Sequence, residues 1–364
     1  MLPDGPVRGR GASVNPTGRF ERLSLEVLGE HLDKIAVETH VFEDGRQVKT
    51  EVFRDSSRSI LNKIESPDIL MGWSINPYRG CEHGCIYCYA RPGHEYFGLS
   101  SGLDFETKIF AKPDAPDLLR KELAKPSWKG ESIMMSGVTD CYQPVESKLE
   151  ITRGCLEVMA EHRQAVGIIT KSRLVLRDLD VLQELHRHRA VHVAVSVTSL
   201  DNALASKLEP RATSPSDRLW TIRRLASAGI PTVAMVAPVI PGVNDQEIPA
   251  ILKAVSDAGA CSASYVLLRL PYQVKELFED WLARHLPDRR ERVLSLLRDA
   301  RGGRLYDAEF GKRMRGEGPY AQQISQAFKV FKQRYGLDRS VPALSTSAFR
   351  LPAEAAQMSL FEAA

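Results

Sequence analysis

Short apolar runs alternate with helix-like segments along the middle of this chain, and this alternation constrains the fold more than any other feature. Six apolar runs predict strands, at residues 73–78, 132–136, 165–170, 191–197, 232–238 and 264–268. Helical patterns lie between them, at residues 114–123, 151–163, 175–187, 214–229 and 245–259. Strands and helices that alternate at this spacing form a parallel sheet with helices on its outside. The sequence therefore predicts an α/β fold of about six β/α units, an open or partial TIM barrel.

Three cysteines follow the first predicted strand. Cys81, Cys85 and Cys88 have the spacing C-x3-C-x2-C. Cubane iron–sulfur clusters are normally held by four thiolates, so three on one loop leave one iron free to bind a group that is not protein. Six cysteines in 364 residues, three of them clustered, indicate metal binding in a reducing compartment rather than a disulfide framework. The alternative is a structural zinc site with His83 or His94 as fourth ligand, although the sequence has no second half-site of the usual spacing.

The cysteine spacing, with Tyr87 just before the third cysteine, resembles the signature of the radical S-adenosylmethionine (SAM) superfamily. The resemblance covers residues 68–280 and implies a [4Fe–4S] cluster held by the three cysteines, with SAM bound at the remaining iron. It implies an enzyme that cleaves SAM reductively to a 5′-deoxyadenosyl radical, and such an enzyme needs an external electron donor. A further alternative is a non-enzymatic iron–sulfur or zinc module that binds a partner. The polar residues at the strand ends disfavour this alternative.

Polar residues follow the predicted strands at the end where reactive groups gather in such sheets. From these positions and the resemblance together, nine residues are predicted to contact SAM or the cluster: Tyr87, Ser136, Gly137, Thr139, Asp140, Lys171, Ser196, Arg211 and Gly242. Lys171 is the candidate for the SAM carboxylate, and Gly242 for close approach to the adenine. Ser136-Gly137 and Thr139-Asp140 stand where many members of the superfamily have Gly-Gly-Glu. Asp140 is equally interpreted as the cap of a local turn.

A second resemblance bears on the substrate. The run Thr139-Asp-Cys-Tyr-Gln-Pro-Val-Glu146, with Thr170-Lys171 and Ser196, looks most like the branch that contains spore photoproduct lyase and DNA repair photolyase-like proteins. This resemblance implies repair or modification of a nucleic-acid base. Radical modification of a protein or a small molecule is the alternative. Cys141 is the candidate catalytic residue, a thiol that returns a hydrogen atom to a product radical, or else a small buried hydrophobe.

The regions outside the core have their own compositions. Residues 1–22 are rich in Gly, Arg and Pro, which predicts a disordered arm, and residues 23–67 form an N-terminal extension with a hairpin at Asp44-Gly45. Residues 281–340 predict a helical C-terminal extension, and residues 341–364 a flexible tail. The sequence contains neither an apolar run of roughly 20 residues nor the pattern of a signal peptide, so we expect a cytoplasmic protein without a membrane segment.

Charge and the tail point to two possible partners. The net charge is only +3, but residues 284–339 hold fourteen Lys and Arg against seven Asp and Glu. This segment is interpreted either as a contact for nucleic-acid phosphates or as a solvated helical surface. The run Gln357-Met-Ser-Leu-Phe361 resembles the short peptide by which bacterial repair proteins bind the sliding clamp. Gln357, Leu360 and Phe361 would then be the anchors.

Overall fold

The protein is described by a computed structural model that covers residues 9–16, 39–41 and 47–351. Its strands are β1 (Thr39–Val41), β2 (Gln47–Lys49), β3 (Glu51–Arg54), β4 (Asn62–Lys63), β5 (Trp73–Ile75), β6 (Tyr78–Arg79), β7 (Lys108–Ala111), β8 (Ile133–Met135), β9 (Val166–Thr170), β10 (Val191–Ser196), β11 (Thr232–Val239) and β12 (Ser262–Leu267). Its α-helices are α1 (Leu103–Thr107), α2 (Ala115–Leu123), α3 (Glu146–Leu149), α4 (Ile151–His162), α5 (Leu179–Arg187), α6 (Asn202–Leu208), α7 (Pro215–Ser227), α8 (Ile248–Asp257), α9 (Val274–His285), α10 (Arg290–Asp299), α11 (Lys312–Arg315) and α12 (Gly318–Arg334). Short 3-10 helices cover Arg91–Phe97, Arg173–Asp178, Asp245–Glu247 and Pro287–Arg289.

The main sheet runs in the order β12-β11-β10-β9-β8-β5-β4. The strands β5 and β8 to β12 are parallel, and the short β4 pairs antiparallel with β5 at the edge. Within the part of the chain that the structure describes, β12 and β5 do not pair with each other, so the sheet stays open. The predicted partial barrel of about six β/α units is therefore confirmed, and each predicted strand matches an observed one to within a few residues.

The helices outside the sheet follow from the apolar spacing. In α8, the residues Ile248, Ile251, Leu252 and Val255 are buried, and their spacing places them on one face of a helix. This face packs against β11 and the neighbouring helix α7. Such burial of whole apolar side chains stabilises the fold by roughly 1.5–3 kcal/mol for each residue.

Several elements near the first strands were not predicted. A small sheet forms next to the main one, in which β3 pairs parallel with β7 and β6 pairs antiparallel with β7.

The helix α6 was also missed, because its seven residues are too short to show a periodic pattern. Its N-terminal cap, Asp201, accepts hydrogen bonds from the amides of Ala203 and Leu204 at 2.8 and 3.2 Å.

The predicted disordered arm is wrong for residues 9–16. Arg10 is buried and donates to the carbonyl of Glu106 at 2.7 Å. The amides of Gly11 and Ala12 donate to the carboxylate of the same glutamate at 3.0 and 2.8 Å. A Gly- and Arg-rich segment lacks apolar residues but can still be held by hydrogen bonds to a buried carboxylate. We call residues 9–16 the N-terminal strap.

The other N-terminal predictions meet the structure in part. The strands β1 and β2 pair antiparallel, as the predicted hairpin requires. The turn at Asp44-Gly45 itself lies outside the described residues, as do residues 1–8 and 17–38 of the predicted arm and extension.

The C-terminal extension is helical, as predicted, and packs against the last units of the barrel. The helices α11 and α12 contact β12 and α8 respectively. Arg301 is buried and donates to the carbonyl of Leu268 at 2.7 Å, and Ser262 donates from its hydroxyl to the carbonyl of Leu337 at 3.0 Å. In the described part of the chain, no helix combines the length and the apolar composition that crossing a membrane requires.

The flexible tail was predicted to begin at residue 341, but part of this segment contacts the barrel. The amide of Ser345 donates to the carbonyl of Arg189 at 2.9 Å, and the amide of Arg350 donates to the carbonyl of His162 at 2.9 Å. Between them, the ring of Phe349 stacks on the ring of His162 with centroids 6.3 Å apart. Residues 345–350 therefore lie on the outside of the barrel. Residues 352–364, including the predicted clamp-binding peptide, lie outside the described residues.

Candidate functional site

The three predicted cluster ligands lie on one loop between β6 and the 3-10 helix Arg91–Phe97. We call residues 80–90 the cysteine loop. Cys81 and Cys85 are buried, Cys88 is half-buried, and all three are free thiols. The amide of Cys88 donates to the carbonyl of Cys85 at 3.2 Å, so the loop turns tightly between its second and third cysteines.

Two glycines allow the cysteine loop to take this shape. Gly80 and Gly84 have φ values of +78° and +64°, in the left-handed region that favours glycine. A Cβ atom at Gly84 would lie 2.7 Å from the carboxylate of Glu106, and one at Gly80 would lie 2.8 Å from the ring of His94. Both positions therefore require glycine.

Hydrogen bonds tie the cysteine loop to the loop that follows β8. The amide of Glu82 donates to the side-chain carbonyl of Gln143 at 2.9 Å, and the carboxylate of Glu82 accepts from the amide of Val145 at 2.7 Å. The hydroxyl of Thr139 donates to the carbonyl of Gly80 at 2.6 Å. Glu82, Thr139, Gln143 and Val145 are all at least nine-tenths buried. Because these hydrogen bonds are buried, they hold the loop in a fixed position.

The cysteine loop fits a cluster held by three thiolates. Burial is the largest cause that raises the pKa of the Cys85 and Cys88 thiols, and the nearby Cys81 raises both further. Lys171 acts in the opposite direction on both thiols, so its positive charge lies where it favours thiolates. Cys81, Cys85 and Cys88 would therefore hold a [4Fe–4S] cluster, in which each thiolate binds a different iron.

The zinc alternative lacks its ligands. Among the described residues, no three His, Cys, Asp or Glu side chains converge on a point where one ion could bind. His94 hydrogen-bonds through Nε2 to the carbonyl of Lys108 at 2.8 Å. The Nδ1 atom of His83 lies 3.4 Å from the carboxylate of Asp140. His94 is thus engaged with another group, whereas His83 lies between Asp140 and Cys81.

Asp140 organises the strand ends through its own carboxylate. One oxygen accepts from the hydroxyl of Thr170 and the amide of Tyr142, at 2.8 and 2.9 Å. The other accepts from the amide of Lys171 at 2.8 Å and faces His83. Burial alone would raise the pKa of Asp140, but His83 and these donors hold it well below its usual range. This geometry supports the local-cap interpretation, since both oxygens already have two polar neighbours.

The segment after β8 brings Ser136, Gly137 and Cys141 together. Ser136 has a φ of +82°, a strained conformation for a residue with a side chain, and its hydroxyl accepts from the amide of Cys141 at 3.0 Å. The hydroxyl of Tyr89 donates to the carbonyl of Gly137. Cys141 is fully buried within the main apolar cluster, and burial raises the pKa of its thiol well above the usual value. These contacts are those of a packed thiol, and the hydrogen-donor role of Cys141 stays a prediction.

Lys171 and Tyr87 lie together beside the cysteines. The Nζ atom of Lys171 lies 6.0 Å from the centroid of the Tyr87 ring, within range of a cation–π contact. Tyr87 is buried, and its hydroxyl donates to the carboxylate of Glu209. The structure therefore brings two predicted SAM contacts to the same side of the cysteine loop.

Three further predicted contacts are more scattered. Ser196 is buried at the end of β10, and its carbonyl accepts from Arg218 at 3.2 Å. Arg211 pairs with Glu82 at 3.5 Å. Gly242 has a φ of +75°, but a Cβ atom there would lie 3.1 Å from the side chain of Leu296 in α10. The closest approach at Gly242 is therefore to the C-terminal extension.

Sequence reasoning missed a buried ion pair behind Tyr87. Glu209 and Arg218 have side chains that are 0% and 3% exposed, and Arg218 donates to the carboxylate. Thr198 also donates to Glu209, at 2.7 Å. Burial raises the pKa of Glu209, and Arg218 lowers it. The partners Tyr87 and Glu209 stand 122 positions apart in the chain, so no local pattern could have paired them.

The chain is similar to known proteins over much of its length. The family model described as the Radical SAM superfamily matches residues 75–255. An uncharacterized protein of Mycobacterium bovis is 34% identical over 244 residues, which cover 66% of this chain and 72% of that protein. An uncharacterized protein of Methanocaldococcus jannaschii is 29% identical over 199 residues, which cover 55% of this chain and 71% of that protein.

Solved structures of spore photoproduct lyase share the fold. One, complexed with dinucleoside spore photoproduct, superposes with a TM-score of 0.57 at 14% identity and covers 78% of this chain and 79% of that one. A second, a double mutant with bound AdoMet and dinucleoside spore photoproduct, gives a TM-score of 0.56 at 14% identity and covers 78% of each chain.

Proposed function

Since the chain belongs to the radical SAM superfamily, we propose that its [4Fe–4S] cluster and SAM serve to repair or modify a base of a nucleic acid. The observation that carries the chemistry is the buried cysteine loop at the carboxyl ends of an open parallel sheet. When bound, the cluster and SAM supply a one-electron reductive cleavage of SAM that yields a 5′-deoxyadenosyl radical.

The residues of this chain serve that chemistry by holding and shielding. Cys81, Cys85 and Cys88 hold the cluster, while Lys171 favours the thiolate form of Cys85 and Cys88. The buried positions of Cys85 and Tyr87 keep water away from one side of the cysteine loop. Lys171 is the candidate group for the carboxylate of SAM because its charged end lies beside the loop.

Two observations support a nucleic-acid substrate. Two of the solved structures that share this fold are of spore photoproduct lyase with bound dinucleoside spore photoproduct. Residues 284–339 carry twice as many basic as acidic side chains, and they form the C-terminal extension that packs on the last units of the barrel. Basic side chains bind phosphates without regard to sequence, which would bring a strand to the protein.

The test is SAM cleavage by anaerobically reconstituted protein, with and without nucleic acid. We expect 5′-deoxyadenosine and methionine to form with a chemical reductant. Damaged DNA should raise the yield of both several-fold, and a base of that DNA should be altered after the reaction. Undamaged DNA of the same sequence is the control. Equal yields with damaged DNA, undamaged DNA and no DNA, together with unchanged bases, would remove the nucleic-acid substrate while leaving SAM cleavage intact.

We also propose two partners. An external one-electron donor is needed, because no part of the SAM cleavage supplies the electron. The second partner is the sliding clamp, bound through Gln357, Leu360 and Phe361. A labelled peptide of the last twelve residues should bind purified clamp with an affinity on the order of micromolar, since two apolar anchors act against the ordering of the peptide. Replacing both Leu360 and Phe361 by Ala should abolish this binding without changing iron content. The absence of saturable binding at about 100 µM would exclude the clamp as a partner of this peptide.

A further inference from the structure

The end of α6 and the segment after it lie directly on the cysteine loop. The amide of Ile86 donates to the carbonyl of Leu208, the last residue of α6, at 3.0 Å. The amide of Arg211 donates to the carbonyl of His83 at 3.2 Å. Glu209 stands between these two contacts in the chain, so its backbone is fixed relative to the loop on both sides.

The side chain of Glu209 contacts the loop between two of the cluster ligands. Its carboxylate accepts from the hydroxyl of Tyr87, which stands two positions after Cys85 and directly before Cys88. Glu209 and Tyr87 are both buried, and salt screens buried charges much less than exposed ones. Burial is the largest cause that raises the pKa of the Cys85 thiol, and the charge of Glu209 raises it further.

Arg218 holds the carboxylate of Glu209 in place from the first turn of α7. The side chain of Arg218 is 3% exposed and donates to this carboxylate. Its Nε and Nη1 atoms donate to the carbonyls of Thr213 and Ser196, at 2.7 and 3.2 Å. Thr198 donates to the carboxylate at 2.7 Å. Since a guanidinium group and two hydroxyls all donate to this carboxyl group, they stabilise its ionised form.

The ion pair presents its negative end to the cysteine loop. Glu209 contacts the loop through Tyr87, whereas Arg218 contacts carbonyls outside the loop. The positive charge of Lys171 acts on Cys85 in the opposite direction, but its effect is smaller than that of Glu209. The net charge around an iron–sulfur cluster is one of the factors that set its reduction potential, and a nearby negative charge disfavours the uptake of an electron.

We propose that Glu209 is a positioning residue that sets the reduction potential of the cluster, because its charge, held in place by Arg218, makes that potential more negative. A more negative potential favours the transfer of one electron to SAM, and the external donor supplies this electron. This role depends on the cluster alone and not on a nucleic-acid substrate.

The test is an anaerobic redox titration of the reconstituted full-length protein without SAM, in which electron paramagnetic resonance follows the reduced cluster. Glu209→Gln keeps the size of the side chain and removes its charge. At a fixed ambient potential, the ratio of reduced to oxidised cluster should rise about tenfold, which is a rise of about 59 mV in the midpoint potential of a one-electron couple. The rise should persist at high salt, because the charge is buried. Iron analysis of each sample measures cluster loading.

A second buried glutamate provides a matched control. Glu146 accepts from the hydroxyl of Tyr78 and from Arg177 at 2.7 Å, so it has the same kinds of partner as Glu209. Tyr78 lies in β6, outside the cysteine loop. Glu146→Gln also removes the charge of a buried glutamate that pairs with an arginine, but its ratio of reduced to oxidised cluster should stay within about twofold of wild type.

Two further variants separate the charge of Glu209 from its hydrogen bond and from folding. Tyr87→Phe removes the hydroxyl that donates to Glu209 but leaves the charge, so its midpoint should shift less than that of Glu209→Gln. The double variant Glu209→Gln, Arg218→Met removes both charges together, so neither is left buried and unpaired. Its midpoint should also rise, and it decides the question if the single variant does not fold.

Four outcomes would overturn the proposal. The first is an unchanged midpoint in Glu209→Gln or, if that variant does not fold, in the double variant. The second is an equal rise in Glu146→Gln, and the third is an equal rise in Tyr87→Phe, which would assign the effect to the hydrogen bond. The fourth is the loss of iron from both Glu209 variants while Glu146→Gln retains it, which would assign the ion pair to cluster retention rather than to the potential.

Discussion

Two residues that were predicted to contact SAM, Thr139 and Asp140, hydrogen-bond to the backbone of the protein instead. Lys171 is different, because its charged end lies near the cysteines. A strand-end position predicts proximity to the site, but whether a side chain contacts ligand or neighbouring backbone depends on donors from distant loops.

The cysteine ligands give the first prediction. Cys85→Ala should lower the iron content from about four per chain to near zero, because two thiolates cannot retain a cluster normally held by three or four. Cys261→Ala, at a half-buried cysteine far along the chain, should keep full iron content. Iron and sulfide analysis of anaerobically purified protein provides the measurement. Full iron in Cys85→Ala would show that this loop is not the cluster site.

Lys171 gives a second prediction. Lys171→Ala should weaken SAM binding by about 1–3 kcal/mol, the scale of a charged hydrogen bond, and leave the absorption of the cluster unchanged. Lys253→Ala, at an exposed lysine that pairs with Asp257, is the control. Equilibrium binding of SAM to the reconstituted protein measures the effect. Unchanged SAM affinity in Lys171→Ala would assign the lysine to the thiolates alone.

His94 makes stability depend on pH. Burial lowers the pKa of His94 to about 4, against an ordinary 6.5. Between these values the unfolded chain binds the proton more readily, so the free energy of unfolding falls as the pH drops from about 6.5 towards 4. From pH 7 to 5 the loss is about 2 kcal/mol.

His94→Gln keeps a donor for the carbonyl of Lys108 but cannot titrate. We expect the difference in stability between pH 7 and pH 5 to shrink by about 2 kcal/mol in this variant, as measured by anaerobic urea unfolding. His188→Gln, at a histidine near Glu184 on the surface, is the control. The same pH dependence in wild type and His94→Gln would mean that other groups cause it.

At the scale of elements, the N-terminal strap packs directly against the cysteine loop. A Cβ atom at Gly11 would lie 1.9 Å from the carbonyl oxygen of Gly84, so the two backbones are in direct contact. Gly11→Val should therefore displace the strap and expose the loop to solvent. We expect the cluster to be lost several-fold faster in air than in wild type, as followed by absorbance.

Gly72→Val is the matched control for the strap, because nothing lies within 4 Å of a Cβ atom at Gly72. Its cluster lifetime should equal that of wild type. If Gly11→Val has the same lifetime as Gly72→Val, the strap does not protect the loop. Sequence composition predicted this segment to be disordered, because a hydrogen-bonded strap contains no apolar pattern.

At the scale of the whole molecule, the chain after the last helix contributes to the stability of the barrel. Phe349 packs over Gly130, where a Cβ atom would lie 2.6 Å from the Cβ of the phenylalanine, and it stacks on His162. Phe349→Ala should lower the free energy of unfolding by about 1–2 kcal/mol, less than the 3–5 kcal/mol of a fully buried phenylalanine. Phe310→Ala, at a 52% exposed phenylalanine, should change it less. Equal effects in urea unfolding would contradict this packing role.

The amino-acid sequence by itself determined the parallel α/β sheet, and it predicted the cluster ligands. Both depend on local spacing: the apolar periodicity of strands and helices, and the separation of Cys81, Cys85 and Cys88 on one loop. These signals lie within a few residues of each other, so they can be read without the fold.

Only the tertiary structure decided which polar groups hold the site together. It paired Tyr87 with Glu209 and the strap with Glu106, partners 122 and about 95 positions apart. A hydrogen bond or ion pair between distant segments leaves no periodic trace in a sequence, because any of many donors could satisfy the same acceptor until packing selects one.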